Sequence, residues 1–173
     1  MRLARAFLLL LIAQCSLVAC TSIAPSIDAD PVWAMNGRIA VVAGDRRGAF
    51  GFDWAQFERN YTIDLFGPLG LGVARVARSG GRVTLSVPGE PAVSASSADV
   101  LLERVTGLAV PVTPLRHWVR GEPAPGRYER TETGFRQSGW TVEYLKFDGD
   151  LPVRMRVSRP EARMTLNVRR WEA

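Results

Sequence analysis

Cysteine carries the most reactive side chain in this sequence, and it occurs twice, at Cys15 and Cys20. Cys20 closes the run Leu17-Val18-Ala19-Cys20. Small residues in front of a cysteine admit a signal peptidase, and the thiol of such a lipobox takes a diacylglycerol through a thioether. Cys20 is therefore the expected lipid-attachment residue. Cleavage before it removes Cys15 and acylation consumes the Cys20 thiol, so the mature chain keeps no thiol for a disulfide framework and must hold by its core alone. The single histidine, His117, stands beside Trp118. With no thiol to join it, it could recruit only carboxylates for a metal or a nucleophilic triad. Asp45, Asp53 and Asp64 fall on strands or turns at no useful spacing. The patterns G-x-S-x-G, P-loop and H-E-x-x-H are absent. The expectation is a protein without catalytic residues, metal or cofactor, in which His117 is structural and hydrogen-bonded near a lid.

The residues ahead of Cys20 support its reading. Arg2 and Arg5 give a basic start, and Phe7 to Ala13 form an apolar run too short to span a bilayer. The organisation expected is a removed signal peptide at 1–19, a lipidated N-terminus and linker at 20–32, and one domain at 33–173. Thr21 follows the cysteine where an Asp, by the sorting rule of Gram-negative lipoproteins, would retain the product in the inner membrane. The rule points instead to the outer membrane, with the domain lipid-anchored and facing the periplasm. The eleven residues TSIAPSIDADP give a flexible reach of roughly 18 Å, which keeps the domain near the headgroups. Cleavage of 19 residues from 173 leaves 154, the size of one domain with a real core. It also removes two of the 22 basic residues and no acid, so the formal charge falls from +5 to +3. Nearly all the positive charge is arginine, Lys146 being the only lysine. The arginines are dispersed rather than clustered with aromatics, which excludes a nucleic-acid surface. Attraction to anionic headgroups and a plain solubilising face both remain open.

Elements that position these residues are mostly strands. Trp33 to Ala43, Gly48 to Gln56 and Asn60 to Phe66 alternate with period two, joined by hairpin-sized links at 44–47 and 57–59. Phe50, Phe52 and Trp54 share a face, as do Tyr61, Ile63 and Leu65. GPLG at 67–70 and SGG at 79–81 are turns by composition. Leu71 to Ala77, Arg82 to Val87 and Ala92 to Ala95 continue the meander. Ser97, or Ser96 with Asp99, caps a helix running to about Thr106 with Gly107 as its stop. Its apolar side holds Val100, Leu101 and Val105. A second short helix covers Pro114 to Val119, with Gly121 beyond it. Strands resume at Gly134 to Ser138, Trp140 to Phe147, Val153 to Val157 and Met164 to Val168. Ten or eleven antiparallel strands must curl, close or cover their apolar face. The helices at 97–120 are the material available to plug the concave side. Whether the hollow is filled by side chains or kept for a ligand stays open.

The ordered series NGRIAV (36–41), FGFDW (50–54), YTIDLFGPLG (61–70), LLERVTGLAVPVTPLRHWVRG (101–121), QSGWTVEY (137–144) and LPVRMRV (151–157) resembles the LolB family of outer-membrane lipoprotein receptors. The likeness runs from Trp33 to Trp171. It implies a mainly β fold, a single antiparallel sheet forming an unclosed barrel of about eleven strands with a short helical lid and an apolar cavity. It implies that lipoproteins are received from a soluble periplasmic carrier and inserted into the inner leaflet of the outer membrane, by a monomer. Exposing three acyl chains of some forty methylenes would cost on the order of 30 kcal/mol, so transfer must run from one apolar pocket to another. Trp54, Leu101, Val105, Trp118, Trp140 and Tyr144 are candidates for cavity or lid, although the five tryptophans are core by default. Pro68, Leu69, Gly70 and Leu71 correspond to an apolar loop of the family that meets membrane or cargo. Leu69 has two readings, a wedge into the bilayer or a turn residue folded back onto the core. The rival function is a lipoprotein of another envelope pathway that binds lipid or a small hydrophobic ligand.

Overall fold

A computed structural model describes residues 30–106 and 110–172, the side chains of 105 and 106 excepted. Cys20, the linker up to residue 29 and Gly107 thus lie outside the described residues. In chain order the elements are β1 (Trp33–Ala43), β2 (Arg46–Gln56), β3 (Tyr61–Phe66), β4 (Gly72–Ser79), β5 (Arg82–Ser86), β6 (Val93–Ala95), α1 (Ala98–Thr106), α2 (Val112–Trp118), β7 (Glu129–Thr131), β8 (Gly134–Gln137), β9 (Trp140–Asp148), β10 (Leu151–Arg159) and β11 (Ala162–Glu172).

All eleven strands belong to one antiparallel sheet in the order β6-β5-β4-β3-β2-β1-β11-β10-β9-β8-β7. The first and last strands therefore pair at its centre, from Ala34 with Glu172 to Ala43 with Ala162. The edges β6 and β7 are three residues each and leave the sheet unclosed. The chain crosses from one edge to the other through both helices, which places α1 against β5 and β6. Alternation sets the two faces. Met35, Val41, Phe52, Trp54, Ile63, Val76, Leu85, Val142, Met155, Val157, Met164 and Leu166 are buried on the concave side, while Arg38, Thr62, Thr84, Arg154 and Arg156 alternate with them on the convex side.

Three local features depart from the sequence reading. β2 begins at Arg46 because the turn is only Gly44-Asp45, with Gly44 at φ 55°; a two-residue hairpin needs that left-handed backbone. β7 is a strand that alternation could not reveal, since its Glu-Arg-Thr is charged and largely exposed, as suits a guarded edge. α2 starts at Val112, not Pro114. Pro114 occupies the first turn, where a missing N–H breaks no helical bond. The N–H and the hydroxyl of Thr113 in that turn both donate to Asp99 Oδ1, at 2.9 and 3.2 Å. Asp99 thus caps the second helix rather than boxing the first with Ser96.

Candidate functional site

Inward side chains from β1 to β5 and the two helices enclose a hollow of about 400 Å³. Ile39 and Val41 come from β1, Phe50, Phe52 and Trp54 from β2, Ile63 and Leu65 from β3, Val73, Ala74 and Val76 from β4, and Leu85 from β5. Val87 and Leu166 complete the wall, and Leu102, Val110, Val112 and Leu115 form the roof. Every lining residue is apolar, and the volume lies within the ~300–1,000 Å³ of small-molecule sites. Among its lining residues, Trp54 carries an indole N–H that is buried and has no hydrogen-bond partner among the described residues. Trp54 is held by ring contacts to Trp33 (5.5 Å between centroids) and Tyr61 (6.2 Å). Burial pushes the Tyr61 hydroxyl up to about 12.

The other half of the sheet is filled. Trp118, fully buried at the end of α2, packs edge-on to Phe135 of β8 at 6.2 Å. Its indole N–H donates to Gln137 Oε1 at 2.8 Å, and its carbonyl accepts the Tyr144 hydroxyl at 2.8 Å. The same Gln137 accepts the Ala124 N–H and donates to the Ala124 carbonyl. One end of the lid is therefore bolted to β8 and β9. Burial raises the Tyr144 hydroxyl above the ordinary tyrosine range. Of the residues that sequence reading nominated for cavity or lid, Trp54 lines the hollow and Trp118 sits on the roof helix facing the filled half. Leu101 is buried and its neighbour Leu102 lines the hollow, whereas Val100, expected on the same apolar side, is 47% exposed because α1 turns Leu102 inward instead. Trp140 and Tyr144 lie on β9, apart from the lining, and the Val105 side chain lies outside the described residues. Sequence reading did not single out Leu102, Val112 or Leu115; the three-residue steps from Trp118 back to Leu115 and Val112 were the one available signal, and it did not extend to Leu102.

Outside the hollow, the turn between β3 and β4 is closed by Gly70 N–H to Gly67 O at 3.0 Å and Gly67 N–H to Leu71 O at 2.9 Å. Gly70 supplies the left-handed residue at φ 76°. The side chains of Pro68, Leu69 and Leu71 are left outside, with Leu69 88% and Leu71 70% exposed. This settles the geometry of Leu69: it does not fold back onto the core. Two large leucines in solvent on a tight turn have no packing role in the monomer.

The polar groups weighed for chemistry have structural partners or stand apart. His117 Nε2 accepts from Arg116 Nε at 3.1 Å. Burial, then the neighbouring Arg116 charge, holds its pKa below 6.5. Asp64 accepts from Arg75 Nε and Nη2, at 2.6 and 2.9 Å. Among the described residues no three His, Cys, Asp or Glu side chains are grouped to hold a metal ion, and no helix is long and apolar enough to cross a membrane.

Residues 31–171 match the family described as "Outer membrane lipoprotein LolB". The chain is 33% identical over 150 residues to the outer-membrane lipoprotein LolB of Pseudomonas fluorescens, covering 80% of this chain and 73% of that one. It is 32% identical over 151 residues to the LolB of Pseudomonas aeruginosa, covering 81% and 74%. Among solved structures, a LolA superfamily protein from Nitrosomonas europaea aligns with TM-score 0.52 at 13% identity, over 83% of this chain and 86% of that one. That likeness concerns the fold.

Proposed function

The chain belongs to the LolB family of outer-membrane lipoproteins, and on that premise we propose that its roofed hollow accepts the acyl chains of lipoproteins from a soluble periplasmic carrier and that the 67–71 turn delivers them to the inner leaflet of the outer membrane. The observation that carries the reading is the all-apolar lining beneath a two-helix roof. Such a surface offers an acyl chain an environment close to hydrocarbon, worth about 0.8 kcal/mol per methylene removed from water. A carrier of the LolA type would present a similar sheet, so cargo could pass from one hollow to the next. The direction then follows from the difference in affinity between the two hollows, without a covalent step.

The anchor in this reading is Cys20, acylated after removal of residues 1–19, with 20–32 as the tether of a monomeric domain at 33–173. Pro68, Leu69, Gly70 and Leu71 form the insertion element. Leu69 is presented by a hydrogen-bonded turn rather than by a loose loop, so a leucine entering the bilayer carries the fixed geometry of the sheet behind it. The unpaired Trp54 N–H suits a carbonyl of the acyl linkage, which would satisfy a donor that is otherwise buried at a cost of about 1–3 kcal/mol.

The mature chain carrying Cys20→Ala, and hence no lipid of its own, should bind a fluorescent palmitoyl probe and release it to unlabelled palmitoyl lipoprotein. A folded chain that takes up neither would show that the hollow is not an acyl site.

A further inference from the structure

At the root of the Leu69 turn the convex face carries a second groove, about 410 Å³, bounded by the turn itself and by Arg38, Asp53 and Arg169. Its construction starts from Gly37. The register of β1 against β11 shifts between Asn36 and Gly37, with Asn36 opposite Arg170 and Gly37 opposite Val168. Arg169 is thus the extra residue of a bulge, a device that re-aims a side chain and sharpens the local twist. Only glycine permits the close approach, because a Cβ at 37 would collide with the Asn167 carbonyl oxygen. Arg38, one residue on, stands across from Gly51, which in turn faces Phe66 at the start of the turn. Both arginines are exposed, and neither makes an ion pair among the described residues. Asp53 on the same groove leaves it with a net charge of +1, suited to a single phosphate monoanion rather than to a polyanion.

We propose that this groove binds the phosphate of a membrane phospholipid headgroup between Arg38 and Arg169. The assignment rests on the reading of the 67–71 turn as the membrane-entering element. With Leu69 and Leu71 in the acyl layer, the base of the turn lies at headgroup depth, where guanidinium forks meet phosphate oxygens. The bulge then acts as a depth stop and an orienting contact. The leucines set how far the turn enters, and the two arginines set which face of the barrel meets the membrane.

Sedimentation of the mature Cys20→Ala chain with vesicles tests this. Net-neutral vesicles of phosphatidylethanolamine and phosphatidylcholine remove bulk electrostatic attraction, and galactolipid vesicles with the same acyl chains remove the phosphate. The Arg38→Gln/Arg169→Gln double variant should bind the phospholipid vesicles roughly thirtyfold more weakly, because it loses both charge-assisted guanidinium–phosphate contacts. It should bind galactolipid vesicles as the wild type does, and Arg38→Lys/Arg169→Lys should recover part of the loss. Arg59→Gln/Arg82→Gln, which removes the same charge at the opposite ends of β3 and β4 from the turn, should change neither. Equal binding of wild type and double variant to phospholipid would overturn the proposal, as would an equal loss on galactolipid. Displacement of the wild type by low-millimolar inorganic phosphate would make it a phosphate site rather than a lipid site. Leu69→Glu should weaken binding to both vesicle types; if it does not, the insertion reading fails on its own account.

Discussion

An added methyl group at Gly37 meets backbone, not a movable side chain, so the strand pair at the centre of the sheet must part to accept it. Gly37→Ala should cost about 3 kcal/mol, a fall in Tm on the order of 10 °C. Gly72→Ala, whose Cβ would meet open space at an ordinary φ, should stay within 1 kcal/mol or so; calorimetry of the pair reads the difference. If both melt alike, the bulge is not the constraint described. Residues differ in how far their surroundings can be read ahead. Period-two alternation put Phe50, Phe52 and Trp54 on one face, and that face lines the hollow. Leu101 and Leu102 are adjacent on a helix, and whether one or the other meets the hollow depends on the tilt of α1, which no local pattern encodes. Leu69 is the sharpest case. GPLG states that a turn is present, but the direction of its side chain depends on what lies beneath it.

Helix α2 is held at both ends by groups from other elements, Asp99 at its start and Gln137 and Tyr144 at its finish. Gln137→Leu keeps the volume but strands the Trp118 indole N–H and both polar groups of Ala124. The expected loss is about 2–4 kcal/mol, with faster amide exchange along 112–124 than along β1 or β11. Unchanged exchange there would show that the bolt is not what fixes the lid. The same helix carries a pH dependence. The folded protein holds His117 neutral below 6.5, whereas the unfolded chain takes up its proton near 6.5. In the window between these values the unfolded state binds more protons, so stability falls as pH drops through about 6.5 and levels off below the folded pKa. Melting temperature followed from pH 7.5 to 5.5 should decline in the wild type and decline less in His117→Gln. Parallel curves would remove His117 from the lid's stability. These cross-element bonds also explain which elements were hard to place. β7 is written in charged residues because it is an edge, and α2 began earlier than its proline suggested because its cap lies thirteen positions before Val112.

At the scale of the molecule, an unclosed eleven-stranded sheet solves two problems at once. Pairing β1 with β11 closes the chain on itself at the centre, and the free edges fall where the helices cross. Aromatic and aliphatic side chains fill one half and the other half is left hollow, a division that composition alone left open. The exposed turn lies outside both. Leu69→Glu should therefore melt as the wild type does and still accept cargo, while insertion slows at least tenfold because a carboxylate must be driven into an apolar layer. Altered melting would mean that the turn packs on the domain.

The central claim is that cargo acyl chains occupy the hollow, and photocrosslinking tests it most directly. A lipoprotein whose acyl chains carry a photoreactive group is mixed with the mature chain and irradiated, and the adducts are mapped by mass spectrometry. The account predicts adducts on the concave lining, at Phe52, Ile63 and Leu85, and none on the outward positions Thr62 and Thr84 of the same strands. Adducts spread equally over both faces, or confined to the convex face, would contradict it.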